Sequence, residues 1–250
     1  MITYLSLGNY GRLGNQLFQI AATIGFGKRL DHSVVFPPWQ YKNRFNVNVL
    51  PIHKITPYGD KIEQLTEKVF TYDPLIQTLA PEKTASLFGY FQSEKYFSHC
   101  KQDIKNLIDS QQNVIQGIDK NNTVCAIHVR RGDYMNLQQH YIPLTDTYYY
   151  DTAVNYMKSI GAKTFIIFSD DISWCKERFK NNGFKFSEAD EFTELMMMRA
   201  CRYHIIANSS FSWWGSWNVN SNCVIAPKQW FGPAIPNDTK DLYRDDMIIL

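Results

Sequence analysis

The sequence predicts an α/β protein built on parallel sheets, and three observations point that way. Short apolar runs alternate with helix-like amphipathic segments along the chain, the order that βαβ units impose. The chain opens as an apolar stretch, a glycine-rich turn and a helix-like stretch, the start of a Rossmann-like unit. Three apolar runs of the second half stop abruptly in polar clusters, at 128–133, 169–171 and 208–210. Parallel strands bring all three clusters to one edge of a sheet, where open α/β sheets bind ligands.

Taken in order, Ile2 to Leu7 reads as a first strand, followed by Gly8, Gly11 and Gly14 and a helix carrying Leu17, Phe18, Ile20, Ala21 and Ile24. The glycines fall at i, i+3 and i+6, which is not the dinucleotide pattern G-x-G-x-x-G, and no acidic residue stands where a ribose would need one. Gly11 and Gly14 still allow backbone N–H groups to approach a ligand, with Asn15 near the helix start as a donor or acceptor. Val34 to Phe36 reads as a second strand, stopped by Pro37-Pro38. Residues 39 to 90 carry no motif and are expected to shape a substrate surface. Ser93 is placed as the cap of a helix reaching about Ile108. The polar stretch from Asp109 to Asn122 separates two domains, 1–112 and 113–250.

In the second half, Val124 to Ile127 is a buried strand. Helices are expected over Thr145 to Ile160, ended by Gly161, over Ile172 to Asn182, and over Asp190 to His204. Strands are expected at Thr164 to Phe168, Phe184 to Phe186, Ile205 to Ala207 and Cys223 to Ala226. A helix containing Trp213, Trp214 and Trp217 follows Ser210; two of these indoles are read as packing and one as available to stack on a sugar.

Composition narrows the possibilities. With 250 residues, 44% hydrophobic and 20% charged, the chain is globular rather than disordered. A net charge of +2 is too small to argue for nucleic acid. The five cysteines are scattered and read as reduced, buried thiols of a cytoplasmic protein. The start of the chain lacks a basic n-region, and no apolar run approaches the length of a membrane span. A cytoplasmic protein, at most peripheral at a membrane, is expected.

The chemistry concentrates where Val124 to Ile127 gives way to His128, Arg130, Arg131, Gly132 and Asp133. Strand alternation puts His128 and Arg130 on one face and Val129 on the other. Two guanidinium forks at a strand end suit a nucleoside diphosphate, although they also suit ion pairs with Asp133. Asp170 and Asp171 are adjacent, so as strand neighbours they point to opposite faces and grip one metal ion poorly. One of them is expected to accept hydrogen bonds from a base or ribose, and no metal is required. Ser209 and Ser210 read as a helix cap or an anion site.

These residues resemble a known family. His128-Val-Arg-Arg-Gly-Asp-Tyr134, Ser169-Asp-Asp-Ile-Ser-Trp-Cys175 and Ala207-Asn-Ser-Ser-Phe-Ser-Trp-Trp-Gly215 look like the three motifs of the α-1,2-fucosyltransferases, glycosyltransferase family 11. Gly11-Arg-Leu-Gly-Asn-Gln16 and Ala226-Pro-Lys-Gln-Trp230 are further matches, while residues 39 to 110 match only loosely.

The resemblance implies a GT-B-like α/β fold, with two facing Rossmann-like domains holding parallel sheets. The N-terminal domain would serve the acceptor and the C-terminal domain would bind GDP-L-fucose. It implies inverting, metal-independent transfer of fucose to the 2-hydroxyl of a terminal galactose, on a cell-surface glycan of the O-antigen or lipopolysaccharide type. The acceptor would be an oligosaccharide, in one version lipid-linked, and no cofactor beyond the donor would be needed. Arg130, Asn15 and Asp133 become the catalytic group, with Arg130 on the β-phosphate. Gly11, Gly14, His128, Arg131, Asp170, Asp171, Ser209, Ser210 and Phe211 become donor-binding or cleft residues. The resemblance also implies a bacterial-type enzyme without the anchor and stem of animal relatives, peripheral at most to the inner membrane. No general base is assigned among Asp133, Asp170, Asp171 and His128. A non-catalytic sugar-nucleotide- or glycan-binding protein, or a transferase of another nucleotide sugar, stands as the alternative.

Overall fold

Every strand pairing among the described residues is parallel. The computed structural model describes residues 1–56, 62–73, 83–109, 123–146, 148–180, 183–217, 221–236 and 238–250. The chain divides into two units, Met1–Gln111 with Asp238–Leu242, and Gln112–Asn237 with Tyr243–Leu250.

The first unit contains β1 (Ile2–Thr3), α1 (Leu13–Leu30), α2 (Lys42–Phe45), α3 (Ile52–Ile55), β2 (Glu63–Thr66), β3 (Ala85–Phe88) and α4 (Lys101–Asp109). Its sheet runs β1-β3-β2. Leu13, Leu17, Phe18, Ile20, Ala21 and Phe26 are buried on α1. The helix ends at Asp31, whose left-handed backbone (φ 54°) donates its N–H to Gly27, and Lys28 and Arg29 stand favourably at the negative end of the helix dipole. Asp241, carried back into this unit, accepts the Tyr72 N–H at 2.9 Å and pairs with Lys95.

Several expectations need correction here. The first strand is two residues long rather than six. Among the described residues, Val34 to Phe36 makes only two single bridges, Ile2 with Val34 and Phe36 with Val49, because β1 is too short to support a ladder and Pro37-Pro38 follows. Strands β2 and β3 lie inside the stretch that offered no motif. Ser93 does cap, accepting the Lys95 N–H, but it caps a 3-10 turn, and α4 begins only at Lys101. Of the stretch read as a domain boundary, residues 110–122 lie outside the described residues.

The second unit contains β4 (Val124–Val129), α5 (Tyr149–Ser159), β5 (Thr164–Ser169), α6 (Ile172–Arg178), β6 (Phe184–Phe186), α7 (Glu191–Ala200), β7 (Tyr203–Ile205), α8 (Ser210–Ser216), β8 (Cys223–Ala226) and β9 (Met247–Ile249). Among the described residues its sheet runs β6-β5-β4-β7-β8-β9. All six residues of β4 are buried, as a central strand covered on both faces must be. Cys125, Ile127 and Val129 pack with Ala153, Val154 and Met157 of α5. Val124 and Ala126 pack on the opposite face with Met198 of α7. Alternation along one strand therefore builds two cores.

The helix expected to reach His204 stops at Ala200, and His204 lies in β7. The helix expected to reach Asn182 stops at Arg178, and that expected from Thr145 starts at Tyr149. Strand β9 has no counterpart in the sequence reading. Trp213, Trp214 and Trp217 are all buried, none more than 2% exposed, so no indole is left for a sugar. Arg199 donates to the carbonyls of Trp214 and Trp217 at the end of α8, and the Arg244 guanidinium lies 4.9 Å from the Trp213 ring centre. All five cysteines are free thiols. Among the described residues no helix is long and apolar enough to cross a membrane.

Candidate active site

Strands β5, β4 and β7 are consecutive neighbours, so their three polar ends emerge side by side at the C-terminal edge of one sheet. His128 is the fifth residue of β4 and 5% exposed, with its ring 5.5 Å from that of Phe211. The Tyr150 hydroxyl donates to the His128 carbonyl at 3.0 Å, fixing the strand from the α5 side.

Beyond the strand, Arg130 turns between two carboxylates. Its Nη2 donates to Asp133 Oδ1 at 2.6 Å and its Nη1 stands 2.7 Å from Asp170 Oδ2. The other Asp170 oxygen accepts the Arg131 backbone N–H at 2.9 Å. The Arg131 side chain donates from Nε to Asp171 at 3.0 Å and from Nη1 to Thr145 at 3.2 Å. Its guanidinium stands 4.4 Å from the centre of the Trp174 ring, and that of Arg130 5.2 Å from the ring of Tyr134. Aromatic faces orient both cations without removing their donors. Among the described residues no acceptor meets Arg130 Nε or Arg131 Nη2, so each fork keeps capacity for an anion.

Asp170 and Asp171 divide their work as adjacent strand-end residues should. Asp170 serves the turn after β4, while Asp171 caps α6, accepting the Trp174 N–H at 3.2 Å. Among the described residues, no group of three His, Cys, Asp or Glu side chains has the spacing of a metal site. Gly132 makes this packing possible, because a Cβ there would come 2.4 Å from Asp170 Oδ2.

The third strand end is tied in by backbone. Tyr134 donates its hydroxyl to the Asn208 carbonyl at 2.9 Å. The buried Asn208 amide donates to Ile142 at 3.0 Å and to Trp230 at 2.9 Å. Ser209 occupies the N-cap position of α8, but its side chain makes no cap bond. Ser209, Ser210 and Phe211 are only half-buried, with their polar atoms at the same sheet edge.

Gly11, Gly14 and Asn15 belong to the first unit. Gly14 and Asn15 are not in the loop but in the first turn of α1. The Asn15 side chain lies over Gly11, where a Cβ would come 2.6 Å from Nδ2, and its Oδ1 accepts from Gln92 at 2.8 Å. Gln16 and Gln19 donate to the carbonyls of Gly11 and Tyr10 at 2.8 and 2.9 Å, so buried amides hold the loop in shape.

The model of "Glycosyl transferase family 11" matches residues 6–248. The chain belongs to glycosyltransferase family 11. An Escherichia coli protein named alpha-1,2-colitosyltransferase is 34% identical over 59% of this chain, and the match spans 57% of that protein's length. The O-antigen biosynthesis glycosyltransferase WbnK of Escherichia coli is 27% identical, covering 96% of this chain and 98% of WbnK. A galactoside 2-alpha-L-fucosyltransferase of Caenorhabditis elegans is 25% identical over 98% of this chain and 72% of its own. In fold, the chain matches the fucosyltransferase NodZ of Bradyrhizobium with a TM-score of 0.54 at 10% identity, covering 89% of this chain and 94% of NodZ.

This family 11 protein is therefore a glycosyltransferase with an α/β, GT-B-like fold. Sequence reasoning named the arginines and carboxylates of the second unit and an ion pair with Asp133, which Arg130 makes, but not the bonds to Asp170, Asp171 and Thr145. Thr145 carries no motif at all, and Trp174 and Tyr134 stood inside motifs with no role given. In the first unit it missed Glu67, whose two oxygens accept the N–H groups of Tyr90 at 2.7 Å and Phe91 at 2.9 Å. Burial pushes the Glu67 carboxyl up to about 7, against the pull of those two hydrogen bonds.

Proposed function

We propose that this glycosyltransferase is an inverting galactoside 2-α-L-fucosyltransferase that uses GDP-L-fucose without a metal. The observation that carries the reading is Arg130, held at the end of a buried strand by Asp133 and Asp170 at 2.6 and 2.7 Å with N–H groups to spare. In the reaction, the oxygen of the galactose 2-hydroxyl attacks the anomeric carbon of fucose from the face opposite GDP, and the hydroxyl proton is released to water as the new C–O bond forms. The bond from that carbon to the β-phosphate oxygen breaks, and its electron pair leaves with GDP. Negative charge grows on the β-phosphate, and a preorganised guanidinium stabilises it more in the transition state than in the ground state.

Arg131 serves the same diphosphate from the neighbouring position, and His128, Ser209, Ser210 and Phe211 border it. Asp170 and Asp171 act first by aiming the arginines. Full-length similarity to a protein named for O-antigen biosynthesis supports a cell-surface glycan as acceptor. The test is transfer of labelled fucose from GDP-fucose to lactose in excess chelator, with NMR of the product. An α-1,2 linkage is expected; activity that vanishes in chelator and returns with Mn²⁺ would overturn the metal-free reading.

A second donor has specific support, because the 34%-identical relative is named for colitose. Competition between GDP-fucose and GDP-colitose in the same assay decides which sugar is carried.

A further inference from the structure

Three half-buried aromatic rings converge at the C-terminal edge of the first sheet. Tyr10, in the loop after β1, stacks on Tyr90 with ring centres 4.6 Å apart and planes at 18°. It also meets Phe88, the last residue of β3, at 5.0 Å. Their neighbours Leu87 and Phe91 are fully buried, whereas Tyr10, Phe88 and Tyr90 are half-buried residues that keep part of their surface in solvent.

The turn that carries Tyr90 is built at a conformational cost. Gly89 sits at φ +148° and Phe91 at φ +52°, the latter a left-handed backbone that a non-glycine residue adopts at about 1–2 kcal/mol. Glu67, just past β2, offsets this by taking the N–H groups of Tyr90 and Phe91 on its two oxygens. It packs so closely that a Cβ on Gly89 would come 2.4 Å from the Glu67 Cβ. Tyr4 donates to the Gly89 carbonyl at 2.7 Å, and the Phe91 ring anchors the turn against Phe26 and Tyr96. One residue further on, Gln92 bonds Asn15. Three strand ends are thus spent on presenting a stacked aromatic surface beside a side-chain amide pair.

We propose that Tyr10, Phe88 and Tyr90 form a stacking subsite for the pyranose ring of the galactoside acceptor, with Glu67 as the positioning residue that fixes Tyr90. The identity of the sugar rests on the function proposed above. Hydrogens on carbons 3, 4 and 5 of β-galactose form one apolar face, which fits a flat aromatic surface. The hydroxyls at its rim need donors and acceptors of the kind that Asn15 and Gln92 supply. Rigid aromatic side chains bind such a ring at little entropic cost.

Saturation-transfer NMR on the full chain, with methyl β-galactoside as the probe and no donor present, tests this directly. The wild type is expected to saturate the hydrogens on carbons 3 to 5. Tyr10→Leu and Tyr90→Leu are expected to weaken binding by about tenfold or more, and Tyr10→Phe and Tyr90→Phe by less than about twofold. Glu67→Gln is expected to raise the acceptor KM by about tenfold while kcat and the GDP affinity from calorimetry stay within about twofold. Undiminished galactoside binding in both leucine variants, or no saturation by the wild type, overturns the subsite. Should a leucine variant lose GDP affinity too, irradiation of aromatic resonances in the wild type decides. Saturation of carbons 3 to 5 supports the stack, and saturation confined to other hydrogens overturns it. A wild type that binds galactoside but not GDP counts against the donor reading alone.

Discussion

Asp170 and Arg130 stand 2.7 Å apart at the end of β4, and the second Asp170 oxygen takes the backbone N–H of Arg131. One carboxylate thus aims a side chain and fixes the peptide that follows it. The Arg130 side chain is 12% exposed and Asp170 20%, against 53% for Asp133. The Asp170 bond is better shielded from water and should dominate the orientation of the fork, since exposed ion pairs contribute little.

Replacing Arg130 by alanine should lower kcat/KM for GDP-fucose by about 10²–10³, the effect of losing a preorganised donor to a developing anion. Arg130→Lys should fare little better, because one ammonium cannot span Asp170, Asp133 and a phosphate as a planar fork does. Steady-state kinetics with circular dichroism melts will check this. Retention of more than about a tenth of the rate by a folded Arg130→Ala would contradict the role.

Gly132→Ala tests the aim of the arginine rather than its charge. The new methyl would come 2.4 Å from Asp170 Oδ2, so the carboxylate or the turn must shift. Activity should fall by about a hundredfold, the effect of an ångström-scale misplacement, for about 1–3 kcal/mol of stability, the usual cost of overpacking. Equal losses of activity in Gly132→Ala and Asp170→Asn would tie the defect to that carboxylate; wild-type kinetics in Gly132→Ala would refute the argument.

The second unit was legible because its chemistry is local: parallel buried strands that end in polar residues bring those ends to one sheet edge whatever their spacing, while the neighbour order β5-β4-β7 comes from the fold. What was hidden depends on distance. Arg131 meets Asp171 and Thr145, and Glu67 meets Tyr90, pairings that no local spacing announces. The boundary between α7 and β7 was lost because the run from Leu195 to Ile206 stays largely apolar, and such a run does not say where one period yields to the other. Strand β2 was invisible for the opposite reason. Its residues are mostly exposed, so no buried alternation marks them, and only pairing with β3 makes them a strand.

Glu67 should leave a mark on stability as well as on acceptor binding. Its carboxyl is raised by burial from 4.5 to about 7, so the folded protein holds this proton more tightly than the unfolded chain. Stability from this group is fully present below pH 4.5 and is lost as pH rises toward 7. Glu67→Gln cannot titrate and loses one acceptor, so it should be less stable at pH 5 and show a flatter dependence between pH 5 and 7. Urea midpoints of both proteins across that range give the comparison; parallel curves would exclude Glu67 as the source.

His204 should act in the opposite sense, within β7. Its Nε2 faces the Met198 carbonyl at 2.9 Å and its Nδ1 the Ser221 hydroxyl at 3.0 Å. A carbonyl only accepts, so the neutral ring carries its proton on Nε2 and accepts from Ser221 at Nδ1. Burial lowers its pKa from 6.5 to about 4, with Arg244 and Arg199 adding to the shift and the Met198 bond opposing it. The unfolded chain therefore takes the proton first, and stability held above pH 6.5 drains away as pH falls toward 4, by on the order of 3 kcal/mol. His204→Gln can keep one donor and one acceptor but no titration, so it should start less stable at pH 7 and lose less on acidification. Glu67 works the other way in the same window, which is why the difference between variant and wild type, rather than the raw slope, is the quantity to measure. A His204 ring that titrates near 6.5 by NMR in the folded protein would remove the basis for this expectation.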